Sequence, residues 1–173
     1  EASLQVARSK DGAGRVTWVL GDAASIPPIQ ADIAFMTANV AQVFLTDDEW
    51  MSTLSALHRA LRPGGRLVFE SRDPARMAWL QWGRDESHRW TEIPGTGAVE
   101  AWSEVTEVAG DLVSFRWTYV FPSDGAVITS DSTLRFRGRD ELAFSLQRTG
   151  FTVDEVRDAP DRPGREFVFI ASR

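Results

Sequence analysis

Cysteine is absent from the 173 residues. That excludes disulfides, thiolate metal sites and a thiol nucleophile, and it fits a cytoplasmic protein. Histidine occurs only twice, at His58 and His88, without carboxylates at partnered spacing, so no metal centre is expected. No uninterrupted apolar run is long enough to span a membrane, and no membrane partner is expected. No basic run exists to neutralise a phosphate backbone, and the net charge of −6 opposes one, so nucleic acid is not an expected partner. No Gly-x-Gly-x-Gly occurs either; Asp11-Gly12-Ala13-Gly14 precedes a strand pattern rather than a helix and cannot cradle a cofactor. Glu1 to Lys10 is polar and helical in pattern, unlike a signal peptide. The chain opens on Glu rather than Met, so an incomplete translated product is expected.

What is present suits one globular domain, residues 1–173, with a real core: 43% of residues are hydrophobic and 25% charged. Seven tryptophans, spread from Trp18 to Trp117, point to packing and pocket walls rather than to a repeat. After the first helix, Arg15 to Leu20 is β-branched and aromatic and predicts a strand ending at Gly21-Asp22. Pro27-Pro28 keeps the chain irregular. Asp32 to Met36 reads as a short buried strand, followed by Thr37-Ala38-Asn39. Thr46-Asp47-Asp48-Glu49 has the form of a capping box. The helix it opens places Trp50, Leu54, Leu57 and Leu61 on one face and stops at Pro63-Gly64-Gly65. An apolar strand, Arg66 to Phe69, follows at once. This alternation predicts an α/β unit with a parallel sheet covered on both faces. Ligands collect at the carboxyl ends of such strands, so Glu70, Ser71, Arg72 and Asp73 mark a site edge.

Asp73 to Gly97 shows no regular pattern. Val99 to Val108, Leu112 to Phe121 and Ala126 to Phe136 alternate and predict antiparallel strands, with turns at Gly110-Asp111 and Ser123-Asp124-Gly125. Arg139 to Thr149 predicts an amphipathic helix stopped by Gly150. Phe151 to Val156 and Glu166 to Ile170 predict two closing strands.

The ordered set Leu20-Gly21-Asp22-Ala23, Ala31-Asp32-Ile33-Ala34-Phe35-Met36-Thr37, Leu61-Arg62-Pro63-Gly64-Gly65-Arg66-Leu67-Val68-Phe69-Glu70, Leu134-Arg135-Phe136, Thr149-Gly150-Phe151 and the terminal Glu-Phe-Val-Phe-Ile-Ala strand resembles the class I S-adenosylmethionine-dependent methyltransferases. The resemblance covers almost the whole chain. It implies an α/β fold: a Rossmann-like sheet of order 3-2-1-4-5-7-6, here lacking its first two strands, with an inserted antiparallel segment (99–137) over the active site and a C-terminal antiparallel hairpin. It implies S-adenosyl-L-methionine as cofactor and methyl transfer to a small-molecule acceptor. Asp22 and Ala23 would meet the adenine; Thr37, Ala38 and Asn39 would line the methionine half. Glu70 and Arg72 would face the acceptor, with Trp82 and His88, in the irregular stretch near the roof, as further substrate contacts. No catalytic residue is assigned.

Each candidate also has a plain structural role open to it. Asp22 can cap its turn, Thr37 and Asn39 can be turn formers, and Glu70, Arg72 and Asp73 can form a local ion-pair network. Trp79, Trp82 and Trp90 can be lid packing, and His58 a satisfied packing residue. The missing strands would lie between Arg15–Leu20 and Asp32–Met36. Without them, buried backbone groups of Val16 to Leu20 would go unpaired at roughly 1–3 kcal/mol each. Three arrangements answer this: more chain upstream, strands lent by another copy in a homodimer, or a rearranged N-terminal region. The alternative function is a cofactor-deficient, non-catalytic scaffold that oligomerises. A nicotinamide-dependent enzyme is a weaker reading, since it lacks its own fingerprint and has the wrong terminal hairpin.

Overall fold

The computed structural model describes residues 1–173, the side chain of Ala24 excepted. Two four-stranded sheets carry the architecture. The first has the order β1-β2-β8-β7, built from β1 (Ala31–Met36), β2 (Leu61–Arg72), β7 (Thr152–Asp158) and β8 (Glu166–Ser172). β1 and β2 run parallel, whereas β8 is antiparallel to both β2 and β7. This is the 4-5-7-6 half of the implied sheet, closing hairpin included. The second sheet is an antiparallel meander, β3 (Arg89–Ile93), β4 (Gly97–Ala109), β5 (Leu112–Phe121) and β6 (Ala126–Arg135).

Helix α1 (Ala2–Arg8) buries no residue. α2 (Asp47–Ala60) forms as its sequence dictates: Thr46 Oγ1 accepts the Glu49 N–H at 3.2 Å, and Glu49 Oε2 accepts the Thr46 N–H at 3.1 Å. Trp50, Leu54 and Leu57 pack with Leu67, Phe69 and Phe169 of the first sheet. Phe69 and Phe169 stack at 5.1 Å, and Trp50 meets Phe69 edge-on at 5.6 Å. α3 (Arg84–Ser87) is one turn, and α4 (Arg139–Arg148) adds Leu142 and Leu146 to the same core. Each such side chain contributes about 1.5–3 kcal/mol.

Four expectations are corrected. Arg15 to Leu20 is not a strand: Ala13–Arg15 is a 3₁₀ turn, and the following residues lie in no sheet. No neighbouring strand takes their backbone groups, so propensity alone does not make a strand; Val16, Val19 and Leu20 are exposed, and their backbone is not buried as foreseen. β1 is not buried, with Ile33 44% and Phe35 61% exposed, because helices cover only one face of the first sheet. β2 begins at Leu61 rather than Arg66. Pro63 sits in a register shift where Ala31 pairs with Leu61 but Ile33 with Arg66. There a Cβ on Gly65 would lie 2.9 Å from the Ala31 and Arg62 carbonyl oxygens, which only glycine allows. Finally, the irregular stretch contains β3, a strand with every residue exposed and so without the alternation that announces a half-buried one.

Candidate functional site

β1 and β2 end side by side, and the turn after β1 brings polar groups onto the end of β2. Ala38 and Asn39 both take left-handed backbone (φ 57 and 58). That fold-back lets the Asn39 N–H donate to Glu70 Oε1 at 3.2 Å, and Asn39 Nδ2 donate to Glu166 Oε1 at 3.1 Å. Glu166 opens β8 opposite Arg72. The same carboxylate oxygen accepts from Arg162 Nη1 at 2.8 Å and lies 3.9 Å from Arg72 Nε. Arg72 Nη1 donates to Gln42 Oε1 at 2.9 Å, and Gln42 Nε2 donates to the Arg135 carbonyl at 3.4 Å. Burial pushes the Arg72 guanidinium below its ordinary pKa, against the pull of Glu166. The hydrogen bond that Arg162 donates to Glu166 holds Arg162 above its own.

The guanidinium of Arg72 also sits 5.5 Å from the Trp82 ring, and Trp82 meets Phe115 edge-on at 5.0 Å. Arg72 thereby joins the carboxyl end of β2 to the second sheet. Glu70, Arg72, Asn39 and Trp82 are brought together. His88 is not: its Nε2 lies 2.8 Å from Glu100 Oε1. Glu100 alternates with Ala101 and with the Val105–Phe115 pair that meets Trp82, so it lies on the opposite face of the second sheet. Thr37 and Ala38 are exposed at the turn.

Asp22 caps its 3₁₀ turn, Oδ1 accepting the Ser25 N–H at 2.9 Å. It also lines a groove of about 520 Å³ with Ala23, Val43, Phe44, Asp48 and Glu49. Three carboxylates and no cation border this groove, with apolar Val43 and Phe44 between them. Its charge suits a neutral or cationic ligand and disfavours a phosphate.

Sequence reasoning missed Gln42, Arg162 and Glu166, whose roles depend on contacts remote in the chain. It also missed Arg137, which is buried and donates to the Phe44 and Thr46 carbonyls at 2.8 and 3.0 Å, fixing the loop that borders the groove. Arg139 to Thr149 gave no hint of this partner. His58 packs edge-on against Phe151 at 5.0 Å. Among the described residues, no group of three His, Asp or Glu side chains converges on a point, and no helix is long and apolar enough to cross a membrane.

No protein-family model matches the sequence, and a search of curated proteins found no match. Solved structures are. DesVI of Streptomyces venezuelae is similar at a TM-score of 0.78 and 17% identity, over 99% of this chain and 70% of that one. An S-adenosylmethionine-dependent methyltransferase from Clostridium acetobutylicum gives 0.71 at 12% identity, over 89% and 63%. The sugar N-methyltransferase KedS8 from Streptoalloteichus gives 0.70 at 18% identity, over 88% and 60%. The chain thus spans between 60% and 70% of the length of these structures. Their likeness establishes the fold, that of the class I methyltransferases.

Proposed function

We propose that this protein transfers a methyl group from S-adenosyl-L-methionine to a small-molecule acceptor. The observation that carries the reading is the acidic groove between the Asp22–Ala23 turn and Val43–Phe44, set beside the carboxyl ends of a methyltransferase-ordered sheet. The residues present fit the adenosyl end of that cofactor. Asp22 offers a carboxylate oxygen to an exocyclic amine, Val43 and Phe44 offer apolar walls, and no cation awaits a phosphate. The same charge pattern weighs against a nicotinamide dinucleotide, whose diphosphate the three carboxylates would repel. Thr37, Ala38 and Asn39, in the turn after β1, would line the methionine end in this reading. A Gly-rich loop to meet it has no counterpart in residues 1–173.

S-adenosyl-L-methionine, when bound, supplies a methyl group on a sulfonium leaving group. The protein's part is then to position and desolvate the acceptor. Arg72, held by Gln42 and Glu166, presents a fixed guanidinium edge beside Trp82. Trp82 and Phe115 give that position an apolar wall, and residues 99–137 form its roof. Titration calorimetry with S-adenosylmethionine and S-adenosylhomocysteine tests the reading. Saturable binding of both is expected; no binding of either would overturn it.

One observation favours the second reading, a non-catalytic scaffold that associates with its own copies. The outer edge of β1 is unpaired, and Phe35 and Ile33 are exposed beside it. Sedimentation velocity separates the two: a concentration-dependent oligomer with no affinity for S-adenosylhomocysteine supports the scaffold.

A further inference from the structure

Beyond the last rung of β2 and β8 the two chains stay side by side, the Asp73 N–H donating to the Arg165 carbonyl at 3.0 Å. Two short 3₁₀ turns (Pro74–Arg76 and Ala78–Gln81) and the loop before β8 then enclose a cavity of about 340 Å³. It is lined by Arg76, Ala78, Gln81, Pro163, Gly164 and Arg165. Two guanidinium groups and a carboxamide therefore face one space that no carboxylate lines, in a chain of net charge −6.

The acids nearby are engaged elsewhere. Glu166 takes Arg162 at 2.8 Å and Arg72 at 3.9 Å. Asp161 lies 3.6 Å from Arg162, and Asp158 Oδ1 accepts the Gly164 N–H at 3.1 Å. Asp73 is the exception: it caps Ala75 and also pairs with Arg76, its Oδ2 3.9 Å from Arg76 Nε. Arg165 pairs with no carboxylate among the described residues; its Nη1 donates to the neutral Gln81 Oε1 at 3.4 Å. The left-handed Gly164 (φ +69) turns the loop beside Arg76. Convergent arginine forks, of which only Arg76 has a carboxylate within 4 Å, match a tetrahedral oxyanion, because each fork can give two parallel N–H bonds to it.

We propose that this cavity binds a phosphoryl group carried by the methyl acceptor, an assignment of substrate class that rests on the methyl-transfer reading above. The cavity adjoins the Arg72–Glu166 rung and is separate from the acidic groove, so one end of an acceptor would be held by its charge while its other end meets Arg72 and Trp82. Both arginines are solvent-accessible, so the affinity falls as salt rises.

The test uses inorganic pyrophosphate, phosphate and acetate as probes at matched ionic strength, titrated by calorimetry into the full chain. Pyrophosphate is expected to bind at least tenfold more tightly than acetate. The double substitution Arg76→Gln and Arg165→Gln should weaken it at least tenfold, whereas Arg148→Gln on α4 should leave it unchanged. Arg165→Lys, which keeps the charge and loses the fork, should fall between. Circular dichroism of each variant controls for folding. Equal affinity in wild type and double variant, or no preference over acetate, overturns the proposal. S-adenosylhomocysteine titrated separately reads the methyl-transfer reading alone, so the two fail independently.

Discussion

Asn39 and Glu166, 127 positions apart, are joined by a 3.1 Å hydrogen bond with 2% and 4% of their surfaces exposed. The bond locks the turn after β1 to the first residue of β8, and the carboxylate also anchors Arg162 and Arg72. Glu166→Ala would leave these donors without their acceptor. It is expected to cost about 3 kcal/mol, the scale for removing one partner of a buried charged pair. Urea unfolding checks this, and a loss below about 1 kcal/mol would show that water replaces the carboxylate.

Arg137 is the second internal tie. Arg137→Ala strips the Phe44 and Thr46 carbonyls of their donors and is expected to cost about 2–4 kcal/mol. Arg137→Lys should recover only part of it, since an ammonium lacks the fork that reaches both carbonyls. Denaturant midpoints of the two variants test the order.

His58 predicts a pH dependence. Burial, then the positive charge of Arg173, depresses its pKa below the ordinary 6.5, while the Gly150 backbone pulls the other way. The neutral ring is therefore favoured in the folded state. Its contribution is fully present above pH 6.5 and is lost as pH falls through the lower folded value. Melting temperature should decline from pH 7.5 towards pH 5, and His58→Gln should flatten that part of the profile. An unchanged slope would remove His58 as its source.

Thr46→Ala breaks the capping box and is expected to cost about 1 kcal/mol. The loss should appear in the urea midpoint of folding. A second substitution, Glu49→Gln, should cost less, because a carboxamide oxygen still accepts the Thr46 N–H.

Asp22→Ala separates capping from ligand recognition. Removing the cap of a three-residue turn should lower stability by about 1 kcal/mol or less. Affinity for S-adenosylhomocysteine should fall roughly tenfold or more, the scale of one hydrogen bond to a charged group. Unchanged affinity would leave Asp22 a cap and nothing more.

Much of the fold was legible because local chemistry and tertiary packing agree. The Thr46–Glu49 box, the Trp50/Leu54/Leu57 face, the three long alternating strands and the closing Gly150-Phe151 turn each carry their own signal. Legibility failed where a neighbour decides the outcome. Val16 to Leu20 has the composition of a strand but no strand beside it, and β3 pairs along β4 without burying a face. Of the site, Asn39, Glu70 and Arg72 could be found by their place after parallel strands. Trp82 could be named only as packing or substrate wall, and His88 gave no sign that it would face Glu100.

The sequence by itself determined the α/β class, the capped helix, the order of the elements from Asp32 onward apart from β3, and the charged rim after Phe69, since periodicity, capping and turn residues act over a few positions. Only the tertiary structure decided that Gln42, Asn39, Arg72, Arg162 and Glu166 share one network, and that Arg76 and Arg165 face one cavity. Those contacts come from strand register across long separations, and a register joins residues that no local pattern links.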